Sequence, residues 1–150
     1  MVRARVKGES LPDEPTGFIP PSRGGIRARA PAAEPAPLHG VPPGVKDIFA
    51  VAGSPPAAGF PPFAARPAAE DSSAVARLRA AGATILGKTV TTEFANNHPS
   101  RTLNPHDPAH TPGGSSSGSA AAVADFMGPP APGTETGGAT LPAGASRGTG

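Results

Sequence analysis

A chain of 150 residues is long enough for one domain, but its composition works against a large core. Gly and Pro contribute 20 and 22 residues, whereas Leu, Ile, Val and Phe together contribute only 24. A net charge of +2 lacks the charge excess of most disordered chains, and it points to neither a nucleic-acid nor a membrane partner. The absence of cysteine excludes disulfides and thiolate metal sites and fits a cytoplasmic protein. No apolar run has the length of a signal peptide core or a membrane span.

Residues 1–37 have no apolar period and read as an irregular or disordered leader. Their basic residues (Arg3, Arg5, Lys7, Arg23, Arg27, Arg29) are spread out and form no compact patch. Residues 38–150 read as a partial domain. It opens with a short apolar stretch, LHGVPPGVKDIFAVAG at 38–53, and continues through a Pro- and Ala-rich loop at 54–70.

The best helix is expected over 71–82. Asp71 or Ser72 can cap it, Val75 and Leu78 give it an apolar face, and Gly82 stops it. Arg77 and Arg79 suit solvent and the helix dipole. Thr84-Ile85-Leu86 then reads as a buried strand, so that helix, glycine and strand make half of an α/β unit. A long polar connection covers 96–119, and a helix is expected from 119 to 125. Pro130 and Pro132 disfavour a strand before Gly133.

Several motifs invite functional readings. Residues 82–89, GATILGKT, match the phosphate-loop pattern by letter. A phosphate loop follows a strand and opens a helix; here a helix precedes, and Ala-Thr-Ile-Leu would bury side chains rather than present amides. Lys88 is therefore expected at a solvated strand end. His106 and His110 are four apart, but the prolines around them forbid the helix that would bring both to one metal ion. No metal or cofactor is expected. The run from Gly113 to Ser119 has a linker's composition, yet it opens into Ala-Ala-Ala-Val-Ala, and such a loop presents amides and hydroxyls. Gly133 to Gly138 forms a second such loop. Two of them, with a lysine in an apolar strand upstream, suggest acyl-transfer chemistry.

Four segments carry a resemblance to the amidase signature family. LHGVPPGVKDIFAVAG resembles its lysine segment, and DSSAVARLRAAGATILGKTVTTEFA resembles the helix-strand segment that follows. NPHDPAHTPGGSSSGSAAAVA resembles its glycine-serine signature, and GTETGGA resembles its nucleophile loop. Together they span about residues 38–142 in unbroken order. Lys46 and Ser115 stand 69 residues apart, and position 139 lies 24 beyond Ser115, as the resemblance requires.

The resemblance implies an α/β fold with a mixed central β-sheet flanked by helices, here truncated. It also implies hydrolysis of a carboxylic amide C–N bond through a Ser-Ser-Lys acyl-enzyme, on a small-molecule amide substrate and without a cofactor. Lys46 would be the base, Ser115 the bridging serine after a cis peptide bond, and position 139 the nucleophile. The amides of Thr136, Gly137, Gly138 and Ala139 would form the oxyanion hole. A lysine acts as a base only when burial removes its charge.

The chain departs from that pattern at its end. Position 139 is alanine, which has no oxygen to attack a carbonyl. Thr140 and Leu141 lead straight to Pro142 without the family's arginine, and the tail GASRGTG lacks its apolar residues. A frameshift near residue 139 would account for these departures together, and the expected activity is nil or nearly so. Other readings remain: the amidase-like subunit of a tRNA-dependent amidotransferase, a non-catalytic and partly disordered fragment, and a phosphate-loop nucleotide binder.

Overall fold

A computed structural model describes residues 18–19, 36–63, 66–125 and 131–134. Among the described residues, three strands form one sheet: β1 (Phe18–Ile19), β2 (Gly44–Lys46) and β3 (Gly87–Thr89), in the order β1-β3-β2. β2 runs parallel to β3, with Val45 opposite Lys88 and Lys46 opposite Thr89. β1 runs antiparallel to β3, which makes the sheet mixed. It lies within the segment expected to be an irregular leader.

Two parallel strands need a crossover, and α1 (Ser73–Ala80) lies within it. The helix is shorter at both ends than the expected 71–82. Ser72 occupies the N-cap position with extended backbone, but its side chain makes no capping bond. Asp71 does not cap either. Its carboxylate instead accepts the amide of Ala52 at 2.7 Å and the Arg79 Nε at 2.8 Å. Arg79, expected in solvent, is thereby held mostly buried against the helix start.

Gly82 ends α1 as expected. With φ at +90° it turns the chain so that its own amide bonds Arg79 O at 2.9 Å and the Ala83 amide bonds Leu78 O at 3.0 Å. These are the two bonds of a Schellman stop. A Cβ at residue 82 would also press on His39 Cα at 3.1 Å, so glycine serves both the turn and the packing.

The strand expected at 84–86 forms three residues later, at 87–89. The reason lies in its neighbour. Thr84 and Leu86 donate to the carbonyls of Val41 and Pro43, each at 2.9 Å. Pro42 and Pro43 have no amide to return, so a two-way ladder begins only where β2 does. Ile85 is buried as expected, but Leu86 points outward and is 48% exposed.

The apolar core is Val45, Val51, Val75 and Ile85, with Phe49 and Leu78 packed against it. It joins β2 to α1. Against β2 and β3 packs α2 (Ser117–Ala124), which starts two residues before the expected 119. Its buried residues are Ser117, Gly118, Ser119, Ala121 and Ala122. Small side chains let the helix approach closely enough for Gly118 N to bond Val90 O at 2.8 Å and for Ser119 Oγ to meet Thr89 Oγ1 at 2.7 Å. The connection before it is bound to this frame, because Thr102 and Pro112 are buried and Ser100 Oγ meets Ser117 Oγ at 2.7 Å.

Candidate active site

The site begins with strand alternation. Val45 faces the apolar core, so the next residue, Lys46, projects to the opposite face, beneath α2. Lys46 is fully buried there. Its Nζ lies 2.8 Å from Ser115 Oγ and 2.5 Å from Thr134 Oγ1. Burial lowers its pKa from 10.5 to about 8. The shift raises the share of neutral amine near neutral pH. A neutral amine at 2.8 Å can accept a serine proton.

Ser115 reaches this position through the glycine-serine loop. The Gly114–Ser115 peptide is cis, as the sequence resemblance implies. The Ser115 carbonyl accepts the Thr92 amide and the Thr91 hydroxyl, each at 3.0 Å. A Cβ on residue 114 would lie 2.7 Å from Thr92 Cγ2, so only glycine fits there. The serine is thus anchored to the segment that leaves β3.

Thr134 is a partner of Lys46 that the sequence reading misses, although its loop stands out for its amides. Ser116 holds it. The Ser116 Oγ donates to Thr134 O at 3.0 Å and accepts from Thr134 N at 3.2 Å. A Cβ on Gly133 would lie 2.6 Å from the same oxygen. The available signal is a β-branched hydroxyl placed directly after a glycine in a glycine-rich loop. Pro132, described without strand structure as expected, accepts the Lys46 amide at 3.4 Å. Thr136, Gly137, Gly138 and Ala139, expected to form the oxyanion hole and the nucleophile position, lie outside the described residues, as does Pro130.

Beside Ser115 opens a cavity of about 210 Å³, lined among others by Thr92, Asn96, Asn97, Ser100 and Pro112. Among the described residues no charged side chain lines it. Amide and hydroxyl groups next to a lysine–serine pair suit a neutral polar ligand.

One expectation is overturned here. Lys88 is not at a solvated strand end. It is 2% exposed and paired with Asp47, itself fully buried. Strand alternation explains this, because Lys88 is the register partner of Val45 and shares its inward face. The phosphate-loop match fails in context as expected, since α1 precedes and β3 occupies Gly87–Thr89. His110 Nδ1 meets Asp107 Oδ2 at 2.7 Å in an exposed turn. Among the described residues no group of three potential ligands could hold a metal ion, and no helix is long and apolar enough to cross a membrane.

Comparisons with known proteins point to one family. The Amidase family matches residues 25–146. The A-type chain of the glutamyl-tRNA(Gln) amidotransferase of Salinispora arenicola is 44% identical over 131 residues, which cover 83% of this chain and 27% of that protein. Its counterpart in Cupriavidus necator is 46% identical over 118 residues, 75% of this chain and 23% of that protein. The chain therefore spans about a quarter of the length of these curated relatives. Among solved structures, the peptide amidase of Stenotrophomonas maltophilia superposes with a TM-score of 0.68 at 39% identity, covering 74% of this chain and 25% of that one. The corresponding amidotransferase chain of Thermotoga maritima gives 0.65 at 28% identity, covering 82% and 27%. With the Amidase family matched over residues 25–146, most of this chain, the chain belongs to the amidase signature family.

Proposed function

We propose that this chain carries the base and relay of an amide-hydrolysing Ser-Ser-Lys site and, with alanine at position 139, does not turn over. The observation that carries this reading is the buried Lys46 Nζ at 2.8 Å from Ser115 Oγ. In a complete site, neutral Lys46 takes the Ser115 proton while Ser115 Oγ takes the proton of the nucleophile. The freed oxygen attacks the amide carbonyl, and the amides of Thr136, Gly137 and Gly138 receive the oxyanion. Collapse breaks the C–N bond, and the same relay returns a proton to the leaving amine. Water then repeats the sequence on the acyl-enzyme. Alanine supplies no attacking oxygen, and loss of a serine nucleophile costs on the order of a millionfold in turnover.

Two assays test this reading. Purified chain incubated with simple aliphatic amides should release no ammonia above background; a robust rate overturns the proposal of inactivity. The Ala139→Ser variant should label covalently with an activated phosphonate, and Lys46→Met should abolish that labelling. Labelling that persists without Lys46 removes the lysine from the mechanism.

The names of the curated relatives favour a second reading, in which the parent function is that of one chain of an amidotransferase. Dependence on glutamine and on partner chains in the Ala139→Ser background separates the two. Hydrolysis of simple amides by the chain alone favours the first.

A further inference from the structure

Two buried charges beside Lys46 belong neither to the triad nor to the cavity. Asp47 follows the base in sequence, and Lys88 sits one strand away on β3. The two form an ion pair with almost no exposure. Removing two charges from water is expensive, and an apolar pair of similar volume often serves a fold as well or better. Stability alone is therefore a poor reason for them.

Their connections suggest another. The Asp47 carboxylate holds Lys88 and also accepts the Ala57 amide at 3.1 Å. Its carbonyl accepts the Ala58 amide at 3.2 Å, and its own amide bonds Thr89 O at 2.9 Å. Ala58 O in turn accepts the Phe94 amide at 2.7 Å, in the turn whose Thr92 amide bonds Ser115 O at 3.0 Å. Bonded contacts thus run from the residue after the base to the peptide that carries the bridging serine. Gly59 tightens the same junction, because a Cβ there would lie 2.5 Å from Thr92 O.

Charge gives the pair a second effect. Alone, the Asp47 carboxylate would favour the ammonium form of Lys46. Alone, the Lys88 ammonium would oppose it. Paired, the two largely cancel. Among the described residues, the other groups on elements packed about Lys46 include the hydroxyls of Thr89, Ser115, Ser119 and Thr134, with Asp125 at the far end of α2 and Glu93 on the turn beyond Ser115.

We propose that the buried Asp47–Lys88 pair is a positioning element for the base: it locks the Lys46 peptide to the Ser115 turn and cancels the carboxylate beside Lys46. The inference rests on the reading of Lys46 as the base. It extends that reading to two residues that touch no substrate.

Three lysines in the whole chain (Lys7, Lys46 and Lys88) make the test direct. Carbon-13 labelling at lysine Cε lets each be titrated by NMR in the 150-residue protein. In Lys88→Met the uncompensated carboxylate should raise the Lys46 midpoint by about one unit, within the range that nearby charges produce. Asp47→Asn should lower it. The double variant should return it close to the native value, and Lys88→Arg should leave it there. A purely structural role predicts no such reversal of sign. An unmoved midpoint in Lys88→Met, or shifts of the same sign in both single variants, overturns the proposal. Should Lys88→Met not fold, Asp47→Asn decides alone, and a Lys46 midpoint that fails to fall overturns it. A native Lys46 midpoint near 10.4, the free lysine value, would instead sink the reading of Lys46 as the base. A low native midpoint indifferent to the variants sinks only the role of the pair.

Discussion

The two faces of the β2–β3 pair solve opposite problems. On one face Val45 packs with Val51, Val75 and Ile85, and none of their side chains needs a polar partner. On the other, Lys46 and Thr89 lie under α2 and meet Ser115, Ser119 and Thr134 through directed bonds of 2.5 to 2.8 Å. The apolar face stabilises by area and volume, so its energy falls gradually as methyl groups are removed. The polar face depends on matching, because an unmet buried donor or acceptor costs more than a formed bond contributes. A small apolar cluster can therefore hold the sheet while the polar side of the same strands keeps its directed bonds. Asp47 and Lys88 are the exception, since they place charge on the apolar side.

The sharpest way to break this comparison is to hollow the apolar side. Val75 is fully buried on α1 and contributes to no polar bond by its side chain. Val75→Ala should destabilise the fold by about 1–3 kcal/mol, through lost transfer energy and a residual cavity. Urea unfolding followed by circular dichroism measures it. Lys46 should keep its low titration midpoint in this variant, because Ser115 and Thr134 lie on the other face and the Asp47–Lys88 pair is left in place. A loss below about 0.5 kcal/mol, far under the cost of a cavity, would mean that the apolar cluster does not carry the sheet.

Legibility in the sequence follows the same division. Lys46 and Ser115 are readable because each sits in a specific motif, and the structure brings them to 2.8 Å across 69 residues. The stop at Gly82 is readable because a positive φ after a helix favours glycine, whatever surrounds it. Strand position is less so. Thr84-Ile85-Leu86 has the composition of a strand, but pairing depends on the amides of a distant neighbour, and Pro42 and Pro43 withhold theirs. Lys88 misleads for a related reason. A lysine after a glycine looks solvated until the register with Val45 shows which way it points and Asp47 emerges as its partner. Asp71 likewise looks like a cap, and tertiary structure gives its carboxylate to Ala52 and Arg79 instead. Thr134 needs Ser116 from a remote loop to hold it.

A second test concerns the polar face and pH. Burial lowers the Lys46 pKa to about 8 from its ordinary 10.5. Below pH 8 the folded and unfolded chains both carry the ammonium, and the folded chain bears the full cost of burying it. From about pH 8 to 10.5 the folded chain has released the proton while the unfolded chain still binds it, so stability rises with pH. One proton difference limits the slope to about 1.4 kcal/mol per pH unit. The chain has neither cysteine nor tyrosine to titrate across that window. Denaturant midpoints taken from about pH 8 to 10.5 should therefore climb in the native chain, and Lys46→Met should flatten the climb. A native profile that falls across this window would show that Lys46 is not desolvated.

The smallest expected effect lies outside both faces, at the start of α1. Arg79 and Asp71 form an ion pair at 2.8 Å with both side chains mostly buried. Charge pairs near a surface are worth about 0.2–1 kcal/mol, because water solvates the separated partners well. Arg79→Ala should cost an amount in that range, and added salt should reduce the difference from the native chain. Asp71→Ala should cost more, since the same carboxylate also accepts the Ala52 amide at 2.7 Å and so ties the loop after β2 to the helix. Equal costs for the two variants would mean that the loop amide finds another acceptor. A larger cost for Arg79→Ala would place the stabilising contact in the arginine's packing against the helix rather than in its charge.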